Sequence, residues 1–163
     1  MRGDRVEKIP EPDLTTTIHL GADHKPDISH SSNISQPPSP SSSLKLNNFA
    51  NLTDEERGIV AKLSPEDGML IVHRGPGKGS RFLLTDASTI GRSPESDIFL
   101  DDVTVSRKHA GLAIGVAGES AIKDLGSLNG TYVNGKAVME IPLVPGDEIQ
   151  IGKFHMLFFG GKQ

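Results

Sequence analysis

The sequence predicts an all-β fold, a β-sandwich of about eleven strands preceded by a disordered N-terminal tail. From Met69 onward, short runs of β-branched, aliphatic and aromatic residues alternate with turn residues and show no helical period. Asn134-Gly135 separates two of these runs and is typical of a two-residue hairpin, because both turn positions need a positive φ. Six of the seven aromatic residues follow residue 66, so the hydrophobic core belongs to the C-terminal part.

The expected strands follow one another as MLIVHR, SRFLL, TIGR, DIFL, HAGLAI, SAIKD, TYV, KAV, EIQI and FHMLFF. The segment between the first two, Arg74 to Ser80, contains a Gly-Lys pair and invites a nucleotide-binding interpretation. A phosphate-binding loop of that kind needs Ser or Thr directly after the lysine, whereas Lys78 is followed by Gly79. We therefore expect an ordinary hairpin turn at this position.

Residues 1–66 are predicted to form a flexible regulatory tail, and residues 67–163 the folded domain. Ser or Pro occupies 12 of the 18 positions in residues 26–43, a composition that is typical of a linker. A short helix is expected within the tail over residues 53–63, which begin with the capping-box pattern Thr-x-x-Glu.

The charge of the chain is mildly acidic throughout. Residues 1–66 hold 7 Lys/Arg against 10 Asp/Glu, and residues 67–163 hold 10 against 11, so nothing favours binding to nucleic acid or to an anionic membrane.

The absence of cysteine excludes disulfides and thiolate metal sites and fits a reducing compartment. No apolar run is long enough to span a membrane, and the charged start does not resemble a signal peptide. We expect a cytoplasmic monomer without metal or cofactor.

Three short clusters fall in connections between the expected strands, where binding residues usually lie. They are Gly91-Arg92, the loop from Thr104 to His109, and the loop from Gly126 to Thr131. Together they supply guanidinium groups, hydroxyls and an amide but no carboxylate, a set of donors that suits a dianionic phosphate. Catalysis is not expected, because the Ser106 and His109 pair has no third member and no oxyanion hole beside it.

The order of these clusters is G-R, then S-x-x-H, then N-G-T after D-x-G-S, and it resembles the forkhead-associated (FHA) domain family over residues 69–159. The resemblance implies a non-enzymatic β-sandwich that binds phosphothreonine-containing proteins. The phosphothreonine-binding residues would be Arg92, Ser106, Arg107, Ser127, Leu128 and Asn129, and structural support would come from Gly91, His109, Gly130 and Thr131. In this family arginine and serine contact the phosphate, and the asparagine holds the backbone of the bound peptide. The histidine holds the serine-bearing loop.

A closer likeness is to the small actinobacterial FHA regulators of 2-oxoglutarate metabolism, of the glycogen accumulation regulator and oxoglutarate dehydrogenase inhibitor type. It is carried by the stretches RGPGKGSRFLL, GRSPESDIFLDDVTVSRKHA, DLGSLNGTYVNG and GDEIQIGKF. The likeness implies that 2-oxoglutarate-using metabolic enzymes and a Ser/Thr protein kinase are partners. It also implies that the kinase phosphorylates adjacent tail threonines, and that the phosphorylated tail folds back onto its own domain and blocks partner binding.

The corresponding tail residues are Thr15, Thr16 and Thr17. FHA pockets often read the third residue after phosphothreonine, and Ile18 and Leu20 take that position for the first and last of the three threonines. The alternative function is a generic phosphothreonine-dependent adaptor that recruits kinases or their substrates, with the tail only a spacer. Thr→Ala substitutions at the three positions would separate the two hypotheses, because only the regulator would then lose its response to kinase treatment.

Overall fold

The computed structural model describes residues 40–115 and 119–161 of the chain. The three tail threonines and the rest of the first 39 residues lie outside the described residues. Within the described part, two short helices, α1 (Pro40–Ala50) and α2 (Asp54–Val60), precede eleven strands. These strands are β1 (Gly68–Arg74), β2 (Arg81–Leu84), β3 (Ser88–Gly91), β4 (Ile98–Phe99), β5 (Ala110–Ile114), β6 (Ser120–Asp124), β7 (Thr131–Val133), β8 (Lys136–Val138), β9 (Glu140–Leu143), β10 (Glu148–Ile151) and β11 (Phe154–Gly160).

The strands form two sheets, which confirms the predicted β-sandwich. One sheet has six strands in the order β2-β1-β11-β10-β7-β8, and the other has five in the order β4-β3-β5-β6-β9. Neighbouring strands pair antiparallel, except that β3 and β4 run parallel.

The inner faces of the two sheets enclose the main hydrophobic core. Alternate side chains of each strand point to the same face, so Met156 and Phe158 of β11 pack inward with Ile149 and Ile151 of β10. The five-stranded sheet contributes buried residues from all five of its strands, among them Ile90, Ile98, Leu112, Ile122 and Leu143. This core fixes the strand ends from which the loops project.

Strand direction decides which loops meet. Ala110 at the start of β5 pairs both with Ile90 near the end of β3 and with Asp124 at the end of β6. The β3–β4, β4–β5 and β6–β7 loops therefore gather at one end of the sandwich, called the loop end below. The end of β5, the start of β6 and the β9–β10 turn lie at the opposite end, because Ser120 pairs with both Ile114 and Leu143.

A second apolar cluster lies on the outer face of the six-stranded sheet. Met69, Ile71, Leu157 and Phe159 are buried there together with Leu52, which follows α1. Three partly buried residues in and after α2 pack against the same cluster: Ile59, Val60 and Leu63. The two helices thus cover part of a sheet face that would otherwise expose large side chains to water.

Helix α1 is held on the sheet by polar and aromatic contacts with the end opposite the loops. Lys45 Nζ lies 3.1 Å from a carboxylate oxygen of the buried Asp147. The Asn48 amide donates to the carbonyl of Gly146 at 2.9 Å. The Phe49 ring meets Phe159 edge to face, with 5.0 Å between ring centroids.

Helix α1 begins at Pro40, inside the segment expected to be a linker. Its sequence, PSSSLKLNNFA, has few apolar residues, so the contacts with distant parts of the sheet, rather than a local pattern, explain its presence. Helix α2 starts where its sequence indicates: Thr53 and Glu56 form a reciprocal capping box. It ends at Val60, three residues earlier than expected.

Strand β9 was not among the expected strands, because it contains Pro142. Proline cannot donate a ladder hydrogen bond, and β9 is an edge strand of its sheet, where proline is tolerated. The hairpin between β7 and β8 forms as expected, with φ of 50° at Asn134 and 78° at Gly135. No helix in the described part of the chain is long and apolar enough to cross a membrane.

Candidate functional site

Backbone hydrogen bonds join two loops at the loop end and place Arg92 beside Ser106. The Arg92 N–H donates to the Ser106 carbonyl at 2.9 Å, and the Ser93 N–H donates to the Arg107 carbonyl at 3.1 Å. Gly91 makes this close approach possible, since a β-carbon there would collide with the carbonyl oxygen of Arg107. Gly91 therefore allows the two loops to pack closely, and Arg92 supplies a guanidinium group at the loop end.

His109 joins the β4–β5 loop to the β6–β7 loop. The side chain is fully buried, and its Nδ1 accepts the backbone N–H of Ser106 at 3.0 Å. Its Nε2 must then carry the ring proton, which it donates to the Gly130 carbonyl at 2.9 Å. The imidazole thus supports the loop that carries Ser106, and both of its nitrogens are occupied.

Asp124 holds the β6–β7 loop in shape. One carboxylate oxygen accepts the backbone N–H groups of Gly126 and Ser127, both at 2.9 Å. The other accepts the hydroxyls of Ser127 at 2.5 Å and of Thr131 at 2.7 Å. Burial alone would raise the pKa of Asp124, but these four hydrogen bonds outweigh it and lower the pKa below its usual value.

The loop carrying Asn129 is also tied to the β4–β5 loop. The Asn129 amide donates to the Thr104 carbonyl at 2.9 Å, and the Leu128 N–H donates to the hydroxyl oxygen of Ser106 at 3.0 Å. Among the described residues, the Ser106 hydroxyl proton and the Asn129 side-chain carbonyl have no further partner. Both groups can therefore bind a ligand without first breaking a bond.

Thr104 in turn is fixed by its own surroundings. Its N–H and hydroxyl both donate to Asp102, at 2.8 and 2.5 Å, and its hydroxyl oxygen accepts the Lys153 N–H at 3.2 Å. The hydroxyl and then the N–H of Thr104 lower the pKa of Asp102 from its usual value. The β4–β5 loop is thereby joined to the β10–β11 turn as well.

Arg92, Arg107 and Lys108 supply the positive charge of the loop end. All three are exposed, and neither guanidinium has a salt-bridge or hydrogen-bond partner among the residues that the structure describes. Unpaired guanidinium groups next to a free hydroxyl proton suit a bidentate, doubly charged anion. The chemistry of the loop end is therefore that of anion binding.

One sequence-based assignment looks different in the structure. The Ser127 hydroxyl donates to Asp124 and accepts the Gly130 N–H at 2.9 Å, so it supports the loop instead of facing a ligand. Leu128 beside it is 89% exposed, which leaves its side chain available to one. Thr131 is buried and its hydroxyl donates to Asp124, and Gly130 has a φ of 83°. Both observations fit the structural role expected for these two residues.

Asp124 is the residue that sequence reasoning missed. Its only signal was its place in the D-x-G-S pattern, three residues before Ser127 and seven before Thr131. A carboxylate near a proposed anion site looks unfavourable in a sequence, yet its oxygens face the loop's own donors.

Two cavities accompany the described fold. A small one of about 380 Å³ adjoins the loop end, between Thr104, Asn129, Tyr132 and Lys153. A larger, mainly apolar one of about 860 Å³ lies at the opposite end, near Phe49 and Val144. The larger cavity has none of the anion-binding side chains, so size does not mark the functional site here.

Comparison with known proteins gives consistent matches. The profile of the FHA domain family matches residues 88–152. The glycogen accumulation regulator GarA of Mycobacterium tuberculosis is 54% identical over 103 residues, which cover 63% of this chain and 63% of that protein. The oxoglutarate dehydrogenase inhibitor of Corynebacterium jeikeium is 50% identical over 105 residues, covering 64% of this chain and 72% of that protein.

A solved FHA domain, from a study of phosphothreonine-dependent FHA domain interactions, superposes with a TM-score of 0.55 and 28% identity. The superposed residues make up 60% of the present chain and 99% of the solved domain. The matched part of the present chain spans less than two thirds of the length of the mycobacterial relatives.

Proposed function

We propose that this chain, which belongs to the FHA domain family, is a phosphothreonine-binding regulatory protein whose loop end binds partner proteins. We further propose that these partners are enzymes that use 2-oxoglutarate or glutamate, and that phosphorylation of the chain's own tail by a Ser/Thr kinase switches the binding off. The protein acts by docking and has no catalytic step of its own.

The observation that carries the proposal is that, among the described residues, two guanidinium groups and the nearby Ser106 hydroxyl proton have no partner. Arg92 and Arg107 neutralise the phosphate, and Ser106 donates its hydroxyl proton to a phosphate oxygen. Asn129, already oriented by Thr104, offers its amide carbonyl to a backbone N–H of the bound peptide. Ligand binding requires no rearrangement of the two loops, because the hydrogen bonds of the buried His109 already hold both loops in place.

The two relatives named above supply the proposed partners. One is named for glycogen accumulation and the other for inhibition of oxoglutarate dehydrogenase, and they are 54% and 50% identical to this chain over 103 and 105 residues. We assign the same class of target to this chain. We propose that the protein does so as a monomer in the cytoplasm.

The tail switch is consistent with the length of chain available. The 22 residues between Thr17 and Pro40 can span at most roughly 75 Å, whereas the seven residues of β11 extend about 23 Å along the sandwich. A tail threonine can therefore reach the loop end although α1 is anchored at the opposite end. Tethering raises the local concentration of the phosphorylated tail to the order of millimolar, so weak intrinsic affinity suffices.

The structure also suggests different bounds for the folded unit. Leu52 and the two helices belong to the hydrophobic structure of the sandwich. We propose that the folded unit begins near residue 40 and that the regulatory tail is confined to the residues before it, rather than extending to residue 66.

A titration with short peptides tests the binding function. Synthetic peptides of residues 11–22 would carry phosphothreonine at position 15 or 17, phosphoserine in its place, or no phosphate, and calorimetry would measure each affinity for the full chain. We expect measurable binding only for the phosphorylated peptides, with phosphothreonine the tighter. Equal affinity for phosphorylated and unphosphorylated peptides would contradict the proposed function.

A further inference from the structure

Ser93 lies between the two arginines of the candidate site. It directly follows Arg92, and its backbone N–H donates to the carbonyl of Arg107 at 3.1 Å. The residue is half-buried in a surface turn that continues with Pro94 and Glu95. The backbone of Ser93 therefore lies next to the backbones of both arginines, whose long side chains can turn toward a group added to Ser93.

The Ser93 hydroxyl has no essential structural role. It accepts one long hydrogen bond of 3.4 Å from the Glu95 N–H, and within the described residues it donates none. This distinguishes it from Ser96 in the same turn, whose hydroxyl donates to the Arg107 carbonyl at 3.3 Å. The side chain can rotate outward without breaking the contacts that shape the loop.

We propose that Ser93 is a phosphorylation site, and that its phosphate binds Arg92 and Arg107 and so closes the site to phosphothreonine from any other source. This inference rests on the proposed function.

In the phosphorylation reaction, the Ser93 hydroxyl oxygen attacks the γ-phosphorus of ATP bound to a Ser/Thr kinase. The new O–P bond forms as the bond between that phosphorus and the β–γ bridging oxygen breaks, the hydroxyl proton passes to a base, and ADP leaves.

The local electrostatics favour a phosphate at this position. A phosphoserine carries nearly two negative charges at pH 7, and both neighbouring guanidinium groups lack partners among the described residues. The Glu95 N–H already points at the oxygen that would carry the phosphate. The carboxylates of Glu95 and Asp97 in the same turn oppose the phosphate with their negative charge, and the two guanidinium groups have to outweigh them. The Asp97 carboxylate is held by the N–H and hydroxyl of Thr89, at 2.7 and 2.8 Å.

Attachment one residue from Arg92 makes the phosphate a strong internal competitor. Helix α1, which follows the tail in the sequence, is anchored at the opposite end of the sandwich, whereas a phosphate on Ser93 is at the loop end from the start. Its local concentration exceeds that of any tethered tail threonine. The domain would therefore close even when Thr15, Thr16 and Thr17 carry no phosphate.

The test compares two phosphorylated forms of the full chain. Phosphoserine is incorporated at position 93 by genetic code expansion, and at position 64 as the control. Ser64 is likewise followed by proline and is exposed, but it lies near Gly161, at the end of the sandwich opposite the loops. The probe is the peptide of residues 11–22 with phosphothreonine at position 17.

We expect the dissociation constant of the probe to rise at least tenfold with phosphoserine at 93 and to stay unchanged with phosphoserine at 64. Ser93→Ala is expected to bind like the unmodified chain. A change of less than twofold on phosphorylation of Ser93 would overturn the inference while leaving the proposed function intact.

Failure of the unmodified chain to bind the probe would instead count against the proposed function. The inference is then decided by the guanidinium resonances in an NMR spectrum. Shifts of Arg92 and Arg107 that appear with phosphoserine at 93, and not at 64, would support it, and unshifted resonances would overturn it.

Mass spectrometry of protein from its native cells should find phosphate on the peptide containing Ser93. Phosphate present elsewhere but always absent there would contradict its assignment as a modification site.

Discussion

The carboxylate of Asp124 accepts the hydroxyl of Ser127 at 2.5 Å, and this contact decides where the ligand-facing part of the β6–β7 loop lies. The same carboxylate accepts three more hydrogen bonds from the loop and from β7. Leu128 and Asn129, which follow Ser127, are tied at exposed positions to the Ser106 hydroxyl and the Thr104 carbonyl. A residue that does not face the ligand thus sets the geometry of those that do.

Replacing Asp124 by Asn should therefore lower both stability and binding. The amide replaces one of the two acceptor oxygens by an NH2 group, so either the two backbone N–H groups or the two hydroxyls lose their acceptor. The free energy of unfolding should fall by about 1–3 kcal/mol, the usual cost of such a loss. Urea denaturation measures this change, and Asp101→Asn, at an exposed position, is the matched control. Equal stability of the two variants would contradict the role given to Asp124.

Arg92→Ala should weaken binding of a phosphothreonine peptide by about 3 kcal/mol, or roughly a hundredfold, because a charge-assisted contact with the phosphate is lost. Calorimetric titration of the full chain measures the affinity. Lys136→Ala removes one positive charge from an exposed position in the β7–β8 hairpin and serves as the control. The site assignment would be wrong if the two variants bound the peptide equally well.

Leu52→Ala should destabilise the domain although it lies outside both sheets. Its side chain is 5% exposed and packs on the outer face of the six-stranded sheet. Truncating a buried leucine costs about 2–5 kcal/mol, whereas Leu46→Ala should cost little because that side chain is 69% exposed. Thermal unfolding of both variants tests the prediction. Equal melting temperatures would mean that the helices do not belong to the folded unit.

The stability of the outer sheet face should depend on pH through Glu148. Its carboxylate binds Nε2 of His73 at 2.6 Å and Nδ1 of His155 at 3.1 Å. Burial tends to raise the pKa of Glu148, but the hydrogen bonds from His155 and His73 outweigh it and lower the pKa below its usual 4.5.

A lowered pKa in the folded state means that this carboxylate stabilises the fold above its ordinary pKa and ceases to do so as the pH falls through the lower, folded value. Glu148→Gln should therefore be less stable than wild type at neutral pH, and the difference should shrink in acid. Urea denaturation between pH 7 and pH 3 measures it, with Glu140→Gln at an exposed position as the control. A difference that stays constant with pH would contradict this account.

Much of the fold follows from the sequence, because it depends on local signals. Alternating apolar residues predict the strands, and Asn134-Gly135 predicts the hairpin since few other pairs adopt two positive φ angles. Strand β9 was missed because Pro142 argues against a strand unless its position at a sheet edge is known. Helix α1 was missed because its stabilising contacts, such as Lys45 with Asp147, join residues about a hundred positions apart.

For the candidate site too, the sequence indicates some residues and not others. The resemblance carried by motif order assigns Arg92, Ser106 and Asn129 to the ligand, and the structure brings all three to the loop end. The supporting roles of Asp124 and Ser127 could not be assigned in this way, since a hydroxyl or carboxylate looks the same in the sequence whether it faces the ligand or its own loop.

The most direct test of the central claim is a ¹⁵N NMR spectrum of the full chain before and after phosphorylation by a Ser/Thr kinase that modifies the tail. We expect large shifts at Arg92, Ser106, Arg107 and Asn129, and we expect Thr→Ala substitutions at positions 15–17 to abolish them. Phosphorylation of the tail without any shift at those four residues would contradict the self-docking switch. It would instead favour a generic phosphothreonine-dependent adaptor in which the tail is only a spacer.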